Sequence, residues 1–449
     1  MHMKDMVIVS VDDHISEPPE MYDKHLKGDA YAKAPKFLSN AAGTNYWQYQ
    51  GQIWPSIGLN AVAGRPREEY GMEPTSLDQL RKGVYNADAR IDDMNAGGIA
   101  ASLNFGSKVG MDGGRFHRVP DKDLSLVHLR AYNDWHIDEW CGAHPGRFIA
   151  CGILPTWNMS ATVQEINRIA AKGCTAVSIS DNPTVLGLPG IHDEYWEPMY
   201  KALVDNDIAI CLHIGSGAQA PHSSPVSPIE AWITTMPISI AMSTADWLNL
   251  SALQRYPTMK VALSEGGIGW VPYLLERADW VNSHHKYWTH SIFQDKKPSD
   301  IFKQQFLTCF IDDKFGLKNL DDLNEDLIAY ECDYPHSDSV WPDCAEHLWE
   351  SVKHLSDVQI DKITHLNAMR FMRFDLFKHN KKEDLTVGAL QAKAAADHVD
   401  TTPVSSGGAK PLAEGEKPRP ITSGDIITMF KAQGRPEIGK SEQSKTLPA

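Results

Sequence analysis

Residues 194–215 read EYWEPMYKALVDNDIAICLHIG. The first part carries a helical apolar pattern that stops at an Asp-Asn-Asp cluster, and a nearly unbroken apolar run follows and ends in His213. A run without polar alternation is what a strand needs when both its faces are buried, as in a parallel sheet covered by helices. This unit of helix, stop and buried strand sets the frame for the rest of the chain.

Working outward, the same unit recurs. Strands are expected at MVIVSVD (6–12), GIAASLNF (98–105), RFIACGILP (147–155), CTAVSIS (174–180), DIAICLHIG (207–215), MKVALSEGG (259–267), LTCFID (307–312) and DLIAYECDYP (326–335). Helical patterns such as LSLVHLRAYNDWHIDEWCGAHPG and SATVQEINRIAAKG lie between them. Eight strands alternating with helices are the count of an α/β fold of the (β/α)8 TIM-barrel type, with residues 1–380 as the barrel. An open doubly wound sheet is the rival, but no G-x-G-x-x-G turn follows the first strand. Residues 30–80, rich in Trp, Tyr, Gly and Pro, break the rhythm. They read as an insertion after the first strand, either a lid over the site or a surface hairpin without a role in it. From 381 to 449 the chain reads as a flexible C-terminal extension, Pro/Gly/Ser/Thr-rich in VDTTPVSSGGAKPLAEGEKPRP, with one amphipathic piece, SGDIITMF (423–430), able to dock.

Composition excludes several functions. The 449 residues are 42% hydrophobic and 22% charged, with formal net charge −15 and no basic run, which argues against nucleic acid or an anionic membrane as partner. Seven unpatterned cysteines point to a reducing compartment, and the cytoplasm is the expected location. No apolar run reaches the length of a membrane span, and the N-terminus lacks the plan of a signal peptide.

Reactive residues in a barrel belong at the C-terminal ends of its strands. The first strand, in VIVSVDDHISEP (7–18), delivers Asp12 and His14, which at i and i+2 point the same way. The fifth ends in His213, the sixth in Glu265, and the eighth in Asp333, followed by His336 and Asp338. Each alone has a structural explanation, as a cap, a turn or a hydrogen-bonded core imidazole. Ligand-type residues at four strand ends together point to a metal site. The mixed N and O donor set suits one divalent ion, Zn²⁺ first and Mn²⁺ second. Trp157 and Trp270 follow the third and sixth strands closely enough to line a pocket, and with Asp338 they are the candidate substrate contacts.

VDDHISEPPEMYDKHL, RFIACGILPTWN, CLHIGSG, ALSEGGIGWVPYLLERAD, ECDYPHSDSVWP and KITHLNAMRFMRFD together resemble the amidohydrolase 2 family, metal-dependent TIM-barrel proteins related to aminocarboxymuconate semialdehyde decarboxylase. The resemblance runs from about residue 6 to 377 and leaves the tail outside it. It implies a mononuclear metal held by Asp12, His14, His213 and Asp333. It also implies one of two reactions, hydrolysis of lactones and related compounds or nonoxidative decarboxylation of aromatic or dienoic acids. The chain departs from the family pattern twice. Its first pair is Asp-x-His in place of the commoner His-x-His, a variation found among resorcylate-type decarboxylases. Before the Gly-Gly of the sixth strand it carries Ser264-Glu265, where many family decarboxylases have His.

In the hydrolytic reading Asp333 takes a proton from a metal-bound water and Glu265 or His336 protonates the leaving group. In the decarboxylase reading the metal holds the carboxylate and an adjacent hydroxyl while an acid protonates the ring carbon. Arg118 and Arg147 are the candidate carboxylate partners, and neither stands at a strand end. On that ground the sequence favours hydrolysis of a small aromatic or apolar ester, lactone or amide, with the carboxy-lyase as the alternative. A non-catalytic ligand-binding barrel ranks last, since no ligand is missing. The expected partners are a small-molecule substrate and a second copy of the chain, with dimerisation expected by analogy to similar barrels.

Overall fold

The computed structural model describes residues 1–432 apart from 42, 56, 59, 72–73, 218–222, 407–414 and 416. Eight parallel strands carry the fold: β1 (Val9–Ile15), β2 (Ala101–Gly106), β3 in two pieces (Phe148–Ile149 and Cys151–Ile153), β4 (Ala176–Ile179), β5 (Ala209–His213), β6 (Val261–Ser264), β7 (Phe306–Phe310) and β8 (Ile328–Tyr330). Hydrogen bonding runs from the first piece of β3 through β2, β1, β8, β7, β6, β5 and β4 to the second piece of β3. Both edges of the sheet therefore belong to one strand, and the sheet closes into the expected TIM barrel. Small and branched residues such as Val9, Val11, Leu103, Cys211, Ala262 and Cys309 fill its interior.

Most expected boundaries move by a few residues; the first strand, expected at 6–12, runs from Val9 to Ile15 and so carries Asp12 and His14 within it, and two further shifts bear on the chemistry. The eighth strand is shorter than 326–335 and stops at Tyr330, so Asp333 lies three residues beyond it with φ +53°. The sixth stops at Ser264, and Glu265 follows at φ +58°. Both side chains leave from left-handed backbone turns at the barrel mouth. Such conformations cost L-residues of order 1–3 kcal/mol each and cluster at functional sites.

The outer layer is helical: α1 (Ala87–Gly97), α2 (Lys122–Asp134), α3 (Met159–Ala171), α4 (Glu197–Asp205), α5 (Ile229–Leu248), α6 (Val271–Thr289), α7 (Pro298–Gln305) and α8 (Cys344–Val352). Local sequence sets their ends. Asn86 and Asn158 accept the backbone N–H of Ala89 and Ala161, capping α1 and α3. Gly98 ends α1 at φ +74°, where a Cβ would meet Val387 at 3.1 Å, so glycine is needed for both conformation and space. No helix among the described residues is long and apolar enough to cross a membrane.

Beyond α2 a π-helical stretch, Trp135–Cys141, carries the fully buried His136. Its Nε2 accepts the Cys151 N–H at 3.3 Å, and burial pushes its pKa down to about 4 from 6.5. Because the folded value is the lower one, stability is full above pH 6.5 and is lost as the pH falls toward 4. At pH 5 this group alone is expected to cost about 2 kcal/mol. Denaturant midpoints at pH 7 and pH 5 measure it. His136→Gln, whose amide oxygen keeps an acceptor there, should show a shallower pH dependence, and equal slopes would remove His136 from the account.

The insertion forms a three-stranded antiparallel sheet, Lys36–Ser39, Asn45–Tyr49 and Gln52–Trp54. Alternation fixes its inner face: Trp47 and Tyr49 are buried, and the Tyr49 hydroxyl meets His128 Nδ1 of α2 at 2.7 Å. Below it lies Lys108, just past β2, fully buried with its ammonium 4.2 Å from the Trp47 ring centre and 4.3 Å from that of Tyr22. Burial pulls this lysine down to about 7, against the opposing pull of Glu17. The chain then returns to the mouth, where Val62 and Ala63 both donate to the Pro335 carbonyl at 2.9 Å.

The C-terminal extension packs on the barrel in three described places. α9 (Val387–Ala396) buries Val387, Leu390 and Ala394, and the Val387 N–H donates to Met6 O just before β1. Further on, Val404 N–H donates to Gly64 O, and Asp400 O accepts from Arg81. The amphipathic piece forms α10 (Ser423–Ala432), anchored on the β5–α5 loop: Ile229 N–H donates to Ile421 O at 2.8 Å and Ser423 N–H to Ser227 O at 3.1 Å.

Candidate metal centre

At the C-terminal mouth the polar strand ends converge. His14 Nε2 lies 3.3 Å from Asp12 Oδ1, 3.3 Å from Asp333 Oδ1 and 3.2 Å from His213 Nε2. His213 Nε2 lies 3.5 Å from both Asp12 Oδ2 and Glu265 Oε2. His336 completes the cluster, with Nδ1 2.8 Å from Asp333 Oδ1 and 3.4 Å from Glu265 Oε1, its ring stacked on His14 at 3.8 Å. Of the residues singled out from sequence, Asp12, His14, His213, Glu265, Asp333 and His336 are all here. The β5–β6 register, which pairs His213 with Ser264, brings His213 level with Glu265.

The donor set fits a cation. Both oxygens of Asp12 and of Asp333 are sealed from solvent and accept no hydrogen bond, although acidic oxygens in such a place require a positive partner. His213 Nδ1 donates to the Ile214 carbonyl at 2.7 Å, which fixes the tautomer that turns a bare Nε2 toward the centre. Asp12, His14 and His213 form one compact group; His14, Glu265, Asp333 and His336 form a second that shares His14. In each group the donor atoms lie within 4.8 Å of one another. With protons alone to balance it, the cluster is contorted. Burial would lower His213, but Asp12 and Glu265 hold it up at about 10; burial, with Glu265 and Asp12 adding, raises Asp333. Burial and the neighbouring His336 and His213 push His14 down. A divalent ion relieves all three at once.

Behind the cluster stand residues that the sequence did not single out. Glu331, two residues before Asp333, is buried and accepts the Glu265 N–H at 3.0 Å and the Cys309 thiol at 2.6 Å. Burial, with Asp12 adding, raises it to about 8. It thereby holds Glu265 in its left-handed turn. Asp13 points away from the cluster to the buried Arg90, 3.6 Å off, and accepts from Ser10 Oγ at 2.9 Å. The signal for Glu331 was the i, i+2 spacing of Glu331 and Asp333 within ECDYP. Glu331→Ala is expected to cost about 2–3 kcal/mol, because it leaves the Glu265 N–H without its acceptor. It should also weaken ion binding by ~10–100-fold. Glu331→Gln keeps an acceptor and should recover most of both, as denaturant melts and metal titration would show; equal losses in the two variants would refute the positioning role.

Trp157 packs by His117 (5.9 Å between rings) and under Lys122, whereas Trp270 turns its indole N–H back to the Gly266 carbonyl at 2.7 Å. Asp338 is exposed at the rim. Arg147 lies at the opposite end of the barrel, holding Asn95 Oδ1 at 2.9 Å and Ile99 O at 3.1 Å, which corrects its candidacy as a carboxylate partner. It precedes β3 rather than following it, so it faces the wrong end.

A closed parallel barrel with this cluster at its C-terminal mouth defines a metal-dependent TIM-barrel enzyme. The chain belongs to the amidohydrolase family, whose sequence profile matches residues 107–374. It is similar to a gamma-resorcylate decarboxylase of Rhizobium radiobacter, 23% identical over 311 residues that span 64% of this chain and 87% of that protein. Its fold is also that of an amidohydrolase from Mycobacterium avium subsp. paratuberculosis, with TM-score 0.63 and 19% identity, covering 82% of this chain and 99% of that one. A manganese-bound 5-carboxyvanillate decarboxylase from Novosphingobium aromaticivorans superposes with TM-score 0.58 and 17% identity, covering 82% and 98%. The protein is thus an enzyme with hydrolase or carboxy-lyase chemistry.

Proposed function

We propose that the protein is a metal-dependent, nonoxidative decarboxylase of a small hydroxylated aromatic acid. The observation that carries this reading is the similarity to gamma-resorcylate decarboxylase over 87% of that protein's length. The Asp-x-His pair of β1 supports it, as does the 5-carboxyvanillate decarboxylase among the structural neighbours. It replaces ester, lactone or amide hydrolysis, which the sequence favoured only for want of an arginine at a strand end.

Asp12, His14, His213 and Asp333 would hold one divalent ion. Zn²⁺ suits the imidazoles; the carboxylate share and the manganese in the neighbouring structure support Mn²⁺ as well. When bound, the ion supplies the positive charge that holds a substrate carboxylate and an adjacent hydroxyl. The chain's residues do the rest. The Asp333–His336 couple, 2.8 Å apart, delivers a proton to the ring carbon that bears the carboxylate. The C–C bond then breaks, its electron pair restores the aromatic ring, and CO₂ departs. Glu265, held down at about 2 by His213 and His336 in spite of its burial, stays anionic and keeps His336 oriented. Trp157 and Trp270 form the walls for a flat ring, with Asp338 at the entrance. Seven cysteines, all free, support a reducing compartment such as the cytoplasm.

The test is incubation of protein reconstituted with Zn²⁺ or Mn²⁺ with hydroxybenzoates in D₂O. Release of CO₂ with one deuterium at the vacated ring carbon is the expected result. Hydrolysis of esters or lactones without any CO₂ release would return the hydrolase reading.

A further inference from the structure

The end of β1 and the turn after β8 carry three of the four assigned ligands, and backbone bonds join them directly. Asp333 N–H donates to Asp12 O at 2.8 Å, and His14 N–H donates to Tyr334 O at 2.6 Å. Asp12, His14 and Asp333 are therefore held in one body. That body is gripped from behind by α1, where Arg90 and Asp93, three residues apart and both buried, face the same way. Arg90 donates through Nη2 to the His14 carbonyl and through Nε to Gly83 O at 2.7 Å. Its guanidinium lies 4.4 Å from the centre of the Tyr334 ring. Asp93 Oδ2 accepts the Tyr334 hydroxyl at 2.5 Å, and its Oδ1 accepts Arg81 Nε–H at 2.7 Å. The carboxylate fits there only because residue 83 is glycine; a Cβ at that place would collide with Asp93 Oδ2.

We propose that Tyr334 and Asp93 are positioning residues of the metal centre: the phenol, clamped on the α1 carboxylate, fixes the backbone from which Asp333 leaves. The inference rests on the ligand assignment made above. Tyr334 follows Asp333 directly, and Asp333 has φ +53°, a conformation that persists only where its surroundings hold it. A tyrosine that merely filled space would need no partner for its hydroxyl, since phenylalanine has the same ring. This hydroxyl instead meets a carboxylate, in a bond of the short, charge-assisted kind, and both residues are sealed from solvent, where such bonds are strongest. Arg81 balances the charge of Asp93 from its other side. Trp341 supplies a contrast within the same contact. Its indole N–H donates to the Asp93 carbonyl at 2.9 Å, but it stands well beyond the ligand turn and its bond goes to the helix backbone. It packs the turn against α1 without fixing the residue next to Asp333.

The test is calorimetric titration of Mn²⁺, with Zn²⁺ in parallel, into the metal-free full-length chain. The proteins compared are the unaltered chain, Tyr334→Phe, Trp341→Phe and Asp93→Ala, each with a thermal melt taken without metal. Tyr334→Phe deletes one oxygen and keeps the ring beside Arg90, and it should bind the ion ~10–100-fold more weakly. Asp93→Ala should weaken the ion at least as much. Trp341→Phe should lower the melting temperature while leaving the affinity of the parent. If Asp93→Ala does not fold, Tyr334→Phe still decides. Unchanged affinity in Tyr334→Phe, whatever its melting temperature, reduces the pair to packing and overturns the proposal. Equal losses of affinity in Tyr334→Phe and Trp341→Phe overturn it too, because the ion would then report general loosening of the turn. An unaltered protein that takes up neither ion removes the metal reading and this inference with it. Loss of affinity confined to Tyr334→Phe and Asp93→Ala supports the pair whether or not the loaded protein releases CO₂, so the reaction proposed above stands or falls separately.

Discussion

A chain carrying His213→Ala and Asp333→Ala is expected to purify almost free of metal, against about one ion per chain in the unaltered protein. The two residues come from β5 and from the turn after β8, so each removes a donor from a different side of the cluster. Of the four assigned ligands, Asp12 and His14 on one strand remain, and each of the two compact donor groups has lost a member. Loss of a Lewis acid supplying several kcal/mol at the transition state corresponds to at least a ~10³-fold fall in kcat. Metal analysis and turnover should fall together, with a far-ultraviolet spectrum near that of the parent. Retention of a full ion would mean that the metal lies elsewhere and would sink the assignment of these ligands.

The second large effect separates proton delivery from metal binding. His336→Asn removes the imidazole stacked on His14 and placed 2.8 Å from Asp333 while leaving Asp12, His14 and His213 untouched. Loss of a positioned general acid or base typically costs 10²–10⁴-fold in rate. The expected result is therefore a drop of about 10³-fold in kcat with near-normal metal content and little change in KM. Glu265→Gln should act less strongly, through the orientation of His336, lowering kcat by a smaller factor with metal content unchanged. If His336→Asn loses its ion, then His336 is a ligand and the proton comes from another group.

The barrel was legible because buried parallel strands leave a strong trace, nearly unbroken apolar runs. Each of the eight expected strands overlaps an observed one, and five of them contain it whole. Their C-terminal ends were harder to place. Apolar pattern does not show where ladder hydrogen bonds stop, and both Asp333 and Glu265 sit beyond that point in left-handed turns. The six residues of the cluster could be found because the fold forces strand ends to meet. The i, i+2 spacing with Asp333 marks Glu331 only as facing the same way; its role, like that of Arg90, lies in a partner distant in sequence: the Glu265 N–H, 66 residues away, and Asp13. The form of the insertion was open for a similar reason. Alternation puts Trp47 and Tyr49 on one face, but what covers that face, Lys108 and Phe37 beside Trp47, comes from elsewhere in the chain. The choice of reaction rested on one missing arginine, a weak ground beside the similarity to a decarboxylase over most of its length.

The C-terminal segment touches the insertion at Gly64 and, just past it, Arg81, and further on pairs with Ser227 and Ile229 beyond β5. Two of the loops that border the mouth are therefore tied by residues that lie outside the barrel and donate nothing to the cluster. Such a strap separates two things that evolution usually has to change together. The candidate ligands gather at the barrel mouth, whereas the tie between two loops that border it lies in a terminal stretch that supplies none of them. A change in that stretch alone leaves the residues of the cluster as they are.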